Sequence, residues 1–140
     1  MTTTYRGYVT GSVQNLLTTE LNSLANAGTA VSSSEYNNTS NRWIDGEVEV
    51  YVAASAANTG YVDIYLLEGT TTGNLATYAQ RQNARRIGSV QLNGTTAVRK
   101  RLPISGIAPY TKCLLDNTSG GSLASSGNTV TLLGINYTDT

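Results

Sequence analysis

Residues 45–69 read DGEVEVYVAASAANTGYVDIYLLEG. Val48, Val50 and Val52 alternate with Glu47, Glu49 and Tyr51, and Val62, Ile64 and Leu66 alternate with Tyr61, Asp63, Tyr65 and Leu67. Side chains of an extended chain point to opposite faces in turn, so a period of two marks strands with one buried face. Asn58-Thr59-Gly60 between the two runs has turn chemistry, and the segment is expected to fold as an antiparallel hairpin with Val50 inward. Tyr51, Tyr61 and Tyr65 are then expected on its outer face.

Downstream, Ile87–Leu92 and Thr95–Ile104 flank Asn93-Gly94, a strong signal for a two-residue hairpin turn. Pro103 places the second of these strands at an edge or at its end. Lys112–Asp116 reads as a strand. The loop Asn117–Asn128 is rich in Ser and Gly. Thr129–Tyr137 carries Val130, Leu132 and Gly134 on one face and Thr131, Leu133, Ile135 and Tyr137 on the other, so both faces are partly apolar and the strand is expected to be central.

Upstream the pattern changes. Val13, Leu16, Leu17, Leu21 and Leu24 fall on one side of a helix over 12–27, with Gly28 placed as its cap, although Thr18, Thr19, Asn22 and Ser23 are mediocre helix formers. A short strand is expected around Ala30 and Val31, and a loop over 34–41. Residues 1–11 carry only Tyr5, Tyr8 and Val9 as bulky groups and read as an N-terminal arm that orders when something holds it. Residues 68–86 read as a long loop, a length usually tied to function. Six or seven short strands with Gly, Asn and Ser turns define an all-β fold, an antiparallel β-sandwich of jelly-roll type with an arm (1–11), one short helix and a single domain (12–140).

The chain has 140 residues, 39% hydrophobic and only 13% charged, with a formal net charge of zero. It therefore has no overall electrostatic pull toward nucleic acid or an anionic membrane. No stretch approaches 18 apolar residues, and Met1–Tyr5 lacks the regions of a secretory leader. The charge is uneven, however. Residues 1–70 hold seven acids and two bases, a net of −5, and residues 71–140 hold seven bases and two acids, a net of +5. These halves must meet within one fold or between copies, and a head-to-tail contact of unlike patches closes into a ring.

Catalytic chemistry finds little support. The sequence has no histidine, which removes His-based triads, His metal ligands and the usual near-neutral acid–base group. Its single cysteine, Cys113, lies in an apolar strand and reads as a core residue. Asp45, Glu47 and Glu49 share a strand face, which fits a solvated face paired with neighbouring bases better than a calcium site or a pair of glycosidase acids. The glycine-rich stretches 69–73 and 120–127 match no phosphate-binding pattern. Arg99-Lys100-Arg101 is no single basic stripe, because Lys100 points away from its neighbours. The sequons at Asn37, Asn38, Asn93, Asn117 and Asn136 read as turn asparagines. No cofactor or metal is implied. The candidate interface residues are Tyr5, Tyr8, Tyr51, Tyr61 and Tyr65, with Arg81, Arg85 and Arg86; such tyrosines stack on sugars or anchor protein contacts.

Leu17–Asn26 (LTTELNSLAN), Tyr61–Glu68 (YVDIYLLE), Ile107–Gly120 (IAPYTKCLLDNTSG) and Ser126–Tyr137 (SGNTVTLLGINY) together resemble a group of small tailed-bacteriophage virion proteins. The resemblance covers about residues 12–137. It implies a β-sandwich head decoration or cement protein, often trimeric, that bridges major capsid protein subunits on the outer surface of the virion. Members also sit in the neck or tail or carry fibres. The Arg81–Arg86 run is more basic than the group. A carbohydrate- or receptor-binding module using Tyr51, Tyr61, Tyr65 and Trp43 is the alternative reading.

Overall fold

The computed structural model describes residues 6–55, 58–73, 75 and 81–139. Among the described residues, ten strands form two antiparallel sheets packed face to face: β1 (Arg6–Thr10), β2 (Gln14–Leu17), β3 (Thr29–Val31), β4 (Tyr36–Asn37), β5 (Asp45–Val52), β6 (Tyr61–Gly69), β7 (Arg85–Gln91), β8 (Val98–Ser105), β9 (Tyr110–Thr118) and β10 (Thr129–Asp139). Sheet A has the order β1-β10-β5-β8, with β2 continuing the line of β1 along β10; sheet B has the order β3-β9-β6-β7, with β4 also on β9. The expected all-β sandwich is the fold observed.

The period-two reading of β5 holds along its length, with Gly46, Val48, Val50 and Val52 buried and the intervening residues half-exposed. The core between the sheets combines these valines with Val62, Ile64, Leu66, Val90, Leu102, Ile104, Cys113, Leu115, Val130 and Leu132. β10 is central, as its two apolar faces suggested, and β8 with Pro103 is an edge.

Four local expectations are replaced. β5 and β6 are not a hairpin, because β5 pairs with β10 and β8 while β6 pairs with β7 and β9. The turn between them crosses from one sheet to the other. β7 and β8 likewise lie in different sheets, and around Asn93-Gly94 only an isolated Asn93–Thr96 bridge forms. A turn sequence fixes a reversal of direction; it does not decide whether the returning strand pairs or stacks. The helix over 12–27 is replaced by strand β2 and a single 3-10 turn, Thr19–Leu21. Ser23 and Ala27 stand at φ 54 and 64, which a right-handed helix does not allow. The leucines satisfy burial rather than helical periodicity: Leu16, Leu17 and Leu21 close one side of the core. Residues 6–10, expected within the arm, form a sheet strand on the C-terminal half of β10, in register from Arg6↔Asp139 to Thr10↔Ile135.

Buried asparagines hold the loops. Asn117 donates from Nδ2 to the carbonyls of Leu24 and Gly121, both at 2.8 Å, and accepts from Ser119. Asn38 donates to the carbonyls of Trp43 (2.9 Å) and Ile107 (3.2 Å) and accepts from the Trp43 amide (2.9 Å). These two sequon positions are structural staples, closed to glycosylation in the folded chain.

Candidate functional site

The outer face of sheet A sets charge beside an apolar strip. Along β5 and β8, Glu47 meets Arg101 at 3.1 Å and Glu49 meets Arg99 at 3.0 Å, diagonally across the ladder. The Arg99 guanidinium also lies 4.9 Å from the centre of the Tyr51 ring. The acidic face of β5 is thus paired with bases on the next strand, as its spacing suggested. Among the described residues, no group of three or more His, Cys, Asp or Glu side chains could hold a metal ion. At the end of β5, Asp45 accepts from Ser105 Oγ, the Gly106 amide and the Tyr137 hydroxyl at 3.2–3.3 Å. That bond to a carboxylate raises the Tyr137 pKa.

Beside this charged ladder run Leu133, Ile135 and Tyr137 of β10, with Tyr8 of β1 paired directly across from Tyr137. With Thr10, Glu47 and Arg101 they line a shallow groove of about 330 Å³. Tyr8 is 72% exposed and Tyr137 54%. Two polar groups at this margin pair within the chain: Glu47 with Arg101, and Asp45 with Tyr137. An apolar centre with a polar rim is the anatomy of a protein interface.

The candidate residues divide. Tyr5 lies outside the described residues. Tyr8 is in the strip and Tyr51 lies on the same sheet face under Arg99. Tyr61 is exposed but on the opposite outer face of the sandwich, and Tyr65 is buried there. The tyrosines expected to share one face therefore do not. Leu75 and Ala84, from the segment expected to be a functional loop, pack over Tyr65, Leu67 and Leu114 as a second small core. Leu75 and Ala84 thus lie over sheet B, and Glu35 accepts from the Gly73 amide (3.1 Å) and Thr72 Oγ1 (2.9 Å), bonds that lower its pKa.

Arg81, Arg85 and Arg86 are engaged inside the chain. Arg85 forms a two-pronged pair with Glu68 and also donates to the carbonyls of Ser105 and Gly106, tying sheet B to sheet A. Arg86 contacts Asp63 at 2.7 Å, with Ser89 bonded to both. Burial raises the Asp63 pKa, but these bonds and the Arg86 charge outweigh it and lower the value. Arg81 stands 3.1 Å from Asp116 Oδ2 without aiming a hydrogen at it. The acidic and basic halves of the sequence thus pair with each other within one copy, while the Arg81, Arg85 and Arg86 side chains stay 63%, 40% and 55% exposed. Cys113 is fully buried, and burial pushes its thiol far up, the opposite of activation.

Sequence reasoning missed Leu133, Ile135 and Tyr137 as a surface. Their apolar character was visible, but it was assigned to centrality in the sheet. It also missed the end of the sandwich, where Arg42, Trp43, Ile44, Ile107 and Pro109 line a groove of about 580 Å³.

The fold is an antiparallel β-sandwich of jelly-roll type. Among solved structures, the chain is similar to the CBM36-1 domain of a multidomain xylanase from the hindgut metagenome of Trinervitermes trinervoides, at 11% identity over 94% of this chain and 97% of that one, with a TM-score of 0.50. It is also similar to a CBM36 carbohydrate-binding module solved with calcium and xylotriose (17% identity, 96% and 91% covered, TM-score 0.46). A third is the C-terminal CBM6 of the marine laminarinase LamC from Zobellia galactanivorans (16% identity, 94% and 99% covered, TM-score 0.47). At these identities the likeness is one of fold. These three are carbohydrate-binding modules rather than virion proteins. No protein-family model matches the chain, and no curated protein matches it.

Proposed function

We propose that this chain is a non-catalytic attachment module that docks on the surface of an assembled protein particle, as a capsid decoration protein does, through the outer face of sheet A. The apolar strip of Leu133, Ile135, Tyr137 and Tyr8 supports this reading. Apolar area with two tyrosines suits a protein surface. On this reading the partner is the major capsid protein, the place is the outer surface of the virion, and many weak copies act together through avidity. No cofactor, nucleic acid or membrane takes part.

A second reading, a carbohydrate-binding module, has its own support. The fold is shared with the CBM36-1 domain, and Tyr8 and Tyr137 stand opposite each other in register, both exposed. Two assays on the same preparation separate the readings. Co-sedimentation with purified capsids lacking this chain is expected to carry it into the pellet at saturable stoichiometry, with no response on a glycan array. Glycan binding without co-sedimentation would replace the first reading by the second.

A further inference from the structure

A sandwich has sheet edges, and exposed edges pair with other strands unless something prevents it. Three of the four edges here are blunted. β8 carries Arg99, Lys100, Arg101 and Pro103, and β7 carries Arg85 and Arg86. The β3/β4 edge is interrupted and short, with strands of three and two residues. The β1/β2 edge has a single charge, Arg6 at its start: residues 7–17, GYVTGSVQNLL, contain neither a charge nor a proline. Along it Tyr8 and Val13 are exposed, and Val9 is 46% exposed. With Tyr137 and Ile44, whose amide bonds to Ile135 and Asn136, they make five of the six exposed large hydrophobic residues described. Beyond Ile135, where β5 ends its pairing, β1 and β10 continue as a two-stranded ribbon, an arrangement of marginal stability on its own.

We propose that the β1 edge is a self-association site, pairing antiparallel with β1 of a second copy across a two-fold axis at Tyr8. The register is self-compatible. With Tyr8 on the axis, Gly7 faces Val9 and Arg6, the one charge of the strand, faces Thr10 rather than another arginine. Neighbouring strands lie about 4.8 Å apart, so Tyr137 and Tyr8 of each copy form one row of four rings across a continuous sheet. Apart from Arg6 the edge carries no charge, which suits a like edge rather than a charged partner. The dimer also aligns two attachment strips on one face and doubles their valence. The dimer itself does not depend on what those strips bind, and its test reads mass alone.

The wild type is expected to sediment as a dimer at high micromolar concentration and to dissociate on dilution. Tyr8→Lys and Tyr8→Glu place like charges directly opposite each other, so each variant alone is expected to be monomeric. An equimolar mixture is expected to return to twice the monomer mass, because residue 8 faces residue 8. Separately, mild oxidation of Tyr8→Cys is expected to give a disulfide-linked dimer, since Cys113 is buried and does not compete. A wild type that is monomeric at every concentration overturns the proposal. So does a trimer, a dimer unaffected by either charge, or a Tyr8→Cys chain that stays at monomer mass.

Discussion

Trp43, the single tryptophan, rests on two glycines, and that contact gives a sharp test of the packing beneath the candidate face. A Cβ at Gly134 would lie 2.2, 2.4 and 2.7 Å from Cγ, Cδ1 and Cδ2 of the indole, and one at Gly11 would lie 2.6 Å from Cζ2. Carbon atoms pack at about 3.5–4.0 Å, so Gly134→Ala requires the ring to retreat by more than about 1 Å. It cannot simply slide, because Gly11 borders its other end and Asn38 holds the Trp43 backbone on both its amide and its carbonyl. Overpacking of this kind costs about 1–3 kcal/mol, and the double constraint puts Gly134→Ala at about 3. For a chain of this size that is a fall in Tm of about 9 °C. Calorimetry on four proteins forms the cycle: wild type, Gly134→Ala, Trp43→Ala and the double variant. Trp43→Ala alone should cost about 3 kcal/mol. With the ring gone, Gly134→Ala should cost less than about 0.5 kcal/mol, a coupling of at least about 2. An equal cost for Gly134→Ala in both backgrounds would refute the argument that the indole is what the methyl meets.

Asp63 titrates below its ordinary value of 3.8 when folded. Its stabilising effect is therefore complete above that pH and is lost as pH falls through the lowered value. Asp63→Asn should flatten the acid limb of a stability–pH curve below about pH 4 while leaving Arg86 unpaired at neutral pH, and an unchanged acid limb would contradict this. Asn38→Ala removes three hydrogen bonds from a buried position, leaves the Trp43 and Ile107 carbonyls short of a donor, and should cost about 2–3 kcal/mol in urea denaturation. Because it frees the loop under Trp43, the indole emission should also shift to longer wavelength in the native state; an unshifted spectrum would argue against the staple.

Strand content was legible because burial on one face imposes a period of two, and β5 shows that period without exception from Asp45 to Val52. Pairing was not legible. In β5–β6 and β7–β8 the local turn signals are the same ones a hairpin uses, while the choice between pairing and crossing depends on β10 and β9, far along the chain. The failed helix over 12–27 has a related cause: Leu16, Leu17 and Leu21 serve a core that wraps around them, so their spacing reflects the shape of that core and not a helical face. The site was legible in its chemistry and not in its grouping. Tyr8 and the paired acids of β5 could be named, but Tyr65 could not be known to lie beneath Leu75, nor Tyr137 to stand beside Tyr8, without the sheet register. Likewise the charge imbalance between the halves was real in sequence and vanished on folding, when Glu47, Glu49, Asp63 and Glu68 met Arg101, Arg99, Arg86 and Arg85.

The central claim is that the outer face of sheet A is the attachment face. Leu133 lies within that strip, away from the β1 edge, while Gln91 is exposed on sheet B. The most direct measurement compares capsid co-sedimentation isotherms for Leu133→Lys and Gln91→Lys, each with its melting temperature recorded. The account predicts at least a tenfold loss of affinity for Leu133→Lys, about 1.4 kcal/mol, with Gln91→Lys indistinguishable from wild type. Undiminished binding by a folded Leu133→Lys protein, or an equal loss from Gln91→Lys, would contradict it.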